Sequence, residues 1–309
     1  MYKVSVPGSL MLFGEHAVLH DKLAIAAAVD KKITANLTLR TDNVINITSS
    51  LGMLQTNLES LEINNQLRFV TTAIKHQIKN LSISKGFDLY IESDFSAQVG
   101  LGSSAASTVA TLALLELAYK SVKIDLMELL FLARRIIREV QGIGSGADVA
   151  ASIFGGVISY KMSSAIIEKI ADTLPLAVIY CGYKLATPLV VAKVKDLYGR
   201  YPNIFSLVFD AIEHCVIDAV KQIKEKNWQN LGELMNIHQG LQDALGVNDA
   251  NLAKLIFSLR EQPNIFGAKI SGSGLGDCVI GLGDVTSDFS LNQIDVSIAS
   301  GGMTVIKNE

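Results

Sequence analysis

The stretch 87–120 constrains the fold more than any other part of the chain. A strand-like run, FDLYIE at 87–92, leads through Val-Gly-Leu-Gly-Ser-Ser-Ala-Ala at 99–106 into an apolar run of helical length at 103–120. Gly100 and Gly102 can take backbone angles closed to other residues, which lets peptide N–H groups close on a ligand. Ser103 and Ser104 read as N-caps of the helix that follows, and its unpaired N–H groups and positive dipole end suit a phosphate. A Ser hydroxyl beside bound phosphates is also placed to ligate Mg²⁺. No Gly-Lys-Ser/Thr follows, so this is not a Walker A loop. Taken alone, the segment reads equally well as a glycine-containing loop with an ordinary Ser cap.

Strand-like runs surround it at 32–39, 44–49, 157–162, 175–182, 267–271, 278–282 and 303–307. Helix-like segments fall at 66–80, 125–140, 189–199, 203–225, 228–245 and 249–261. There is no steady βαβ alternation, which predicts an α+β fold. With 309 residues, two lobes are expected, divided as 1–155 and 156–309. A chain of this size buries enough surface to fold without disulfides or a structural metal. Its three cysteines, Cys181, Cys215 and Cys278, lie far apart and read as free thiols in a reducing cytoplasm. A net charge of −3 offers no footprint for nucleic acid or an anionic membrane. No window carries 18 uncharged apolar residues, and Pro7, Gly8 and Glu15 interrupt the N-terminal apolar stretch, so neither a membrane span nor a signal peptide is expected.

Three further segments carry chemistry. Residues 271–278, Ser-Gly-Ser-Gly-Leu-Gly-Asp-Cys, lie between strand-like runs. Gly272, Gly274 and Gly276 resemble a dinucleotide fingerprint, but no helix of proper length follows. Alone the segment is a tight β-turn; beside a second glycine loop it could wrap the same polyphosphate. Asp148, in the glycine-rich 141–156, could accept a proton from a substrate alcohol or could simply cap a helix. Glu15 and His16 adjoin after an apolar strand and a Gly, where they could hold a polar substrate or form a surface turn. His76, His214 and His238 are scattered and read as structural or surface residues, and Trp228 as packing.

Three motifs in order, PGSLMLFGEHAVLH, VGLGSSAA and KISGSGLGDCVIGL, are similar to those of the GHMP kinase family, over almost the full chain. The resemblance implies an N-lobe related to ribosomal protein S5 domain 2, a ferredoxin-like C-lobe with extra helices, and ATP in the cleft between them. It implies an ATP- and Mg²⁺-dependent kinase for a small-molecule alcohol, with a homodimer common in the family. By position it implies Ser93, Gly100, Leu101, Gly102, Ser103, Ser104 and Ala105 at the nucleotide, Ser104 on Mg²⁺, Asp148 as catalytic residue, and Glu15, His16, Gly272, Ser273 and Gly274 at substrate or phosphates. GEHAVLH and LGELMNIHQGLQDALGV resemble the mevalonate-kinase branch, which phosphorylates the C5 hydroxyl of mevalonate in isoprenoid biosynthesis. GSGADVAAS and Gly276-Asp277-Cys278 look like phosphomevalonate kinases. Another alcohol kinase, an ATP-dependent decarboxylase and a non-catalytic nucleotide sensor are the remaining readings on this fold.

The chain departs from the family pattern in places. Ser9 stands where the family has a Lys near the catalytic Asp, and Lys22 or Lys184 could substitute. Ile137 stands at the position of a Mg²⁺-ligating Glu, and Glu139 points about 200° away on a helix. Ser96 and Gln98 replace the usual Pro and first Gly of the second motif.

Overall fold

A computed structural model describes residues 1–120, 124–163, 166–286 and 292–306. In chain order the elements are β1 (Tyr2–Phe13), a 3-10 turn (Ala17–His20), β2 (Ala24–Leu39), β3 (Val44–Ser49), β4 (Gly52–Asn57), α1 (Arg68–Asn80) and β5 (Phe87–Ser93). Next come α2 (Ser103–Tyr119), α3 (Leu126–Gln141), α4 (Ala147–Phe154), β6 (Val157–Lys161), β7 (Ile166–Ala171) and β8 (Leu176–Lys184). The chain continues through α5 (Thr187–Arg200), α6 (Pro202–Glu225), α7 (Trp228–Ala244), α8 (Ala250–Arg260), β9 (Ile265–Ser271), β10 (Gly276–Gly283), β11 (Gln293–Ile294) and β12 (Thr304–Ile306). The expected helices and most expected strands fall within a few residues of these bounds; residue 307 of the last expected strand lies outside the described residues.

The first sheet has the order β12-β1-β2-β5-β3-β4, with β6 joined to β2 and β7 to β6. Its pairs are antiparallel except β3 with β5. The second sheet, β11-β8-β10-β9, is antiparallel throughout. Mixed sheets and helices give the α+β fold. The division at 155/156 cuts across the first sheet: β6 and β7 follow it yet pair with β2, and β12 at the far end of the chain pairs with β1. Strands of the first sheet thus lie on both sides of that division, and β12 returns to it after the second sheet. The physical reason is that antiparallel pairing with the long β2 gives the 157–171 hairpin its hydrogen bonds on the first sheet.

α2 is apolar nearly all round (SSAASTVATLALLELAY), a pattern that suits only a helix enclosed on every side. Val109, Ala110, Leu112, Ala113, Leu114 and Leu115 are fully buried in a core with Val4, Val6, Ala35, Leu37, Ile74, Ile136 and Val149. A second core crosses between the lobes, joining Leu10, Leu12, Phe13 and Ile25 of the first sheet to Val178, Val216, Met235, Ile280 and Leu282. Caps set the ends of the amphipathic helices: the Asp125 carboxylate accepts from the N–H groups of Met127 and Glu128, and Asp249 caps α8 in the same way. α2 is enclosed by the first core, and Ser104 in its first turn lines the cleft between the lobes.

Candidate active site

Two cavities open along the cleft, of about 790 and 800 Å³, a size that suits small-molecule ligands. The first is lined by Glu15, His16, Gly100, Gly102, Ser104, Asp148, Gly272 and Ser273, together with Ser9, Lys184 and Asp277. The second is lined by Ser93, Ser103 and Ser104, with Leu67, Phe69 and Phe95 among its apolar walls. Ser104, Arg68, Gln141 and Lys184 line both, so the cavities meet at the start of α2. Residues scattered over more than 250 positions of sequence therefore share one cleft.

The helix start differs from the sequence expectation. Gly102, at φ +67°, is the N-cap, and Ser103 and Ser104 occupy the first turn with no side-chain cap. The N–H groups of that turn are left without an intrahelical partner, and the dipole end faces the cavity junction. Leu101 turns the other way. It is buried in the inter-lobe core, and its carbonyl accepts from Ser9 N–H at 3.0 Å. Ala105 is buried in the first core, and Gly274 packs against the Val247 carbonyl instead of lining a cavity. At these three positions the side chain or Cα faces the core, which leaves the backbone as the group that could reach a ligand. Ser93 borders the second cavity, but its hydroxyl donates to the Phe95 carbonyl at 2.7 Å.

Asp148 sits in the first turn of α4, whose N-cap is Gly146, so it is not the cap that one sequence reading allowed. One of its oxygens accepts from Val149 N–H at 2.9 Å, and burial pushes its carboxyl above the ordinary carboxylate range. A carboxylate raised toward neutrality is better suited to take a proton from an alcohol.

Glu15 and His16 are both buried, and His16 has φ +61°, which aims the pair at the cavity rather than at solvent. Burial lowers the His16 pKa, and its Nε2 lies 2.8 Å from the Ser273 carbonyl, linking the first and third motifs. Glu15 Oε1 accepts from Lys269 Nζ at 2.5 Å. His238 lies on the other side of that pair, and its Nε2 accepts from Gly14 N–H at 3.0 Å. Burial holds His238 well below the usual imidazole range, and Lys269 adds to the shift, so the ring is neutral. Sequence reasoning missed Lys269 and did not link His238 to the site. Their partners are 254 and 224 positions away, and only a lysine on an otherwise apolar strand (IFGAKIS) hinted at the first.

Four residues that line this cavity carry a buried side-chain oxygen with no hydrogen bond: Ser9 Oγ, Glu15 Oε2, Ser273 Oγ and Asp277 Oδ1. Glu15 Oε2 lies 3.5 Å from His238 Nε2 and Asp277 Oδ1 2.9 Å from Lys184 Nζ, so the two serine hydroxyls are the groups left without a polar neighbour, a rarity for buried polar atoms. Of the two lysines that could stand in at Ser9, Lys22 is bound to Asp210 at 2.6 Å and Glu213 at 3.1 Å, whereas Lys184 lines both cavities. Glu139 pairs with His76 at 2.6 Å, and Ile137 is the residue that lines the first cavity. Among the described residues no group of three or more His, Cys, Asp or Glu is arranged to hold a metal, and no helix is long and apolar enough to cross a membrane.

A two-lobed α+β fold whose uncapped helix start shares a cavity with a buried carboxylate has the parts that a small-molecule phosphotransferase needs. The chain belongs to the GHMP kinase family: its N-terminal domain family (GHMP kinases N terminal domain) matches residues 68–156, and the C-terminal one (GHMP kinases C terminal) matches 219–289. Mevalonate kinase of Methanothermobacter thermautotrophicus is 31% identical over 89% of this chain and 88% of its own. That of Thermococcus sibiricus is 31% identical over 98% and 94%. The crystal structure of the Methanococcus jannaschii mevalonate kinase superposes with a TM-score of 0.77 at 25% identity, covering 91% of this chain and 90% of that one.

Proposed function

We propose that the chain transfers the γ-phosphoryl group of ATP to the C5 hydroxyl of mevalonate, giving 5-phosphomevalonate and ADP. The observation that carries this reading is the convergence of Ser104, Asp148, Glu15 and His16 on one cavity. The similarity to mevalonate kinases over nearly the full chain supports the choice of alcohol.

In this scheme the free N–H groups at the start of α2 hold the phosphates, and Ser93, Ser103 and the apolar walls of the second cavity receive the nucleoside. Glu15 and His16 orient the alcohol, with Glu15 fixed in place by Lys269. Asp148 takes the hydroxyl proton as the C5 oxygen bonds to the γ-phosphorus and the bridging oxygen leaves with ADP. The donor set suits Mg²⁺ arriving with the nucleotide: a Ser104 hydroxyl and phosphate oxygens, with no all-protein cage. When bound, the ion neutralises charge on the phosphates.

The test is ADP release from the purified protein with Mg²⁺-ATP, offering mevalonate and 5-phosphomevalonate separately. Turnover with mevalonate is the expected result. Turnover with the phosphorylated compound alone would transfer the assignment to the next phosphorylation, in keeping with the Gly276-Asp277-Cys278 segment. ATP binding without turnover of either would overturn the choice of alcohol.

A further inference from the structure

A polyphosphate lying across two cavities needs cationic side chains at their junction, and the supply there is small. Among the described residues two cations line both cavities, Arg68 at the start of α1, which lies over the Phe69 ring, and Lys184, the last residue of β8, which is the one that comes from the C-terminal lobe. Lys269 is sealed against Glu15, and Lys22 is held by two carboxylates on α6. The Lys184 side chain is 35% exposed, so its ammonium is reachable from the cleft.

What fixes it there is Asp277. Lys184 Nζ lies 2.9 Å from Asp277 Oδ1, and the Asp277 side chain is 9% exposed. Asp277 is a non-glycine residue at φ +66°, a conformation that costs free energy and that a structure keeps only where its surroundings enforce it. That conformation points the carboxylate at the phosphate loop: a Cβ placed on Gly100 would stand 3.1 Å from both the Cβ and Oδ1 of Asp277. The next residue ties the same two segments, since Cys278 Sγ donates to the Val99 carbonyl at 3.0 Å. A buried carboxylate beside an anion site is unfavourable by itself. Its one ion-pair partner among the described residues is Lys184, which leads from Asp277 into the space shared by the two cavities.

The geometry points to Lys184 as the lysine that grips the donor's β- and γ-phosphates from the C-terminal lobe, with Asp277 as the residue that positions it. This rests on the nucleotide reading above, though not on the choice of alcohol. An ammonium shared between one carboxylate and incoming phosphate oxygens would also draw the C-terminal lobe onto the start of α2.

The test measures equilibrium binding of Mg²⁺-ATP, Mg²⁺-ADP and AMP to the full chain and to Lys184→Met, Lys184→Arg, Asp277→Asn and the Met/Asn double variant. Lys184→Met should weaken ATP on the order of 10- to 100-fold and ADP less, and leave AMP within about twofold, with Lys184→Arg recovering part of the loss. Asp277→Asn should weaken ATP by a smaller factor, and in the double variant it should add nothing to Lys184→Met, because it acts through that lysine. If Lys184→Met weakens all three nucleotides equally, or none, the lysine does nothing more than neutralise a buried Asp and the proposal is wrong. Additive losses in the double variant would remove the positioning role of Asp277. A wild-type chain that binds ATP but does not phosphorylate mevalonate overturns the substrate assignment alone. One that binds no nucleotide overturns this proposal together with the kinase reading.

Discussion

Lys269 Nζ lies 2.5 Å from Glu15 Oε1, with both side chains out of contact with solvent, and the pair joins the turn just after β1 to β9 across the lobes. Lys269 also donates to the Ile270 carbonyl, so the ammonium is well partnered. Removing one member of such a pair strands the other as a buried charge. Lys269→Met should therefore destabilise the fold by about 3–5 kcal/mol. The Lys269→Met, Glu15→Leu double variant should recover much of that stability in urea unfolding. It should not recover turnover, because Glu15 lines the substrate cavity.

His238 gives the fold an acid sensitivity. Burial and the Lys269 ammonium hold its folded pKa well below 6.5, whereas the unfolded chain takes up the proton near that pH. Below about pH 6.5 the unfolded state binds more protons, so stability falls as pH falls, by about 1.4 kcal/mol per pH unit for this one group. His16, also lowered by burial, adds to the same slope. Thermal melts between pH 7.5 and 5 should show a steep loss in the wild type. His238→Gln keeps an acceptor for Gly14 N–H, and its curve should be shallower.

The motifs made the loops legible, because glycine spacing and helix starts are local properties of the chain. Gly100, Gly102, Ser104, Asp148, Glu15 and His16 all face one cleft, as their types and positions implied. Leu101, Ala105 and Gly274 did not, because which way a loop residue points is decided by the core behind it. The 147–154 helix showed only as a possible cap at Asp148: at 8 residues between glycines it is too short for a periodic signal, and α2 and the first sheet hold it in place. The membership of β6, β7 and β12 in the first sheet was equally hidden, since it depends on pairing between strands far apart in sequence. The ion pairs Lys269–Glu15 and Lys184–Asp277 belong to the same class of long-range fact.

Asp148 carries a cost that its role would explain. Burial raises its pKa, so the folded state holds its proton more tightly than the unfolded one, and ionising it as pH rises from the ordinary carboxylate range to the raised value lowers stability. Asp148→Asn removes that cost. It should melt at a slightly higher temperature at pH 7.5 while turnover drops by roughly 10²–10⁴-fold and ATP binding stays nearly intact. In the wild type the acid limb of kcat/KM should fall above the ordinary carboxylate range, since the base must be ionised to accept the proton.

Ser104 lines both cavities from the first turn of α2, and its carbonyl already serves Thr108 at 2.7 Å, leaving the hydroxyl as its offering to the cleft. Ser104→Ala should raise the Mg²⁺ concentration needed for half-maximal rate by roughly tenfold, the loss of one hydrogen-bond-strength contact. An unchanged Mg²⁺ titration would take the metal away from this residue.

Gly102 and Ser9 must be considered together. Gly102 stands at φ +67° at the start of α2, and a Cβ there would collide with the Ser9 hydroxyl on β1. Gly102→Ala thus meets two penalties: about 1–2 kcal/mol for a left-handed L-residue, and the steric cost of pushing β1 from the phosphate loop. Ser9→Gly removes the obstacle without changing the backbone requirement. The Ser9→Gly, Gly102→Ala double variant should therefore melt above Gly102→Ala alone and still below the wild type. If the double variant melts no higher than Gly102→Ala, the contact between these two positions is not what the glycine serves. The backbone angle would then account for the whole effect.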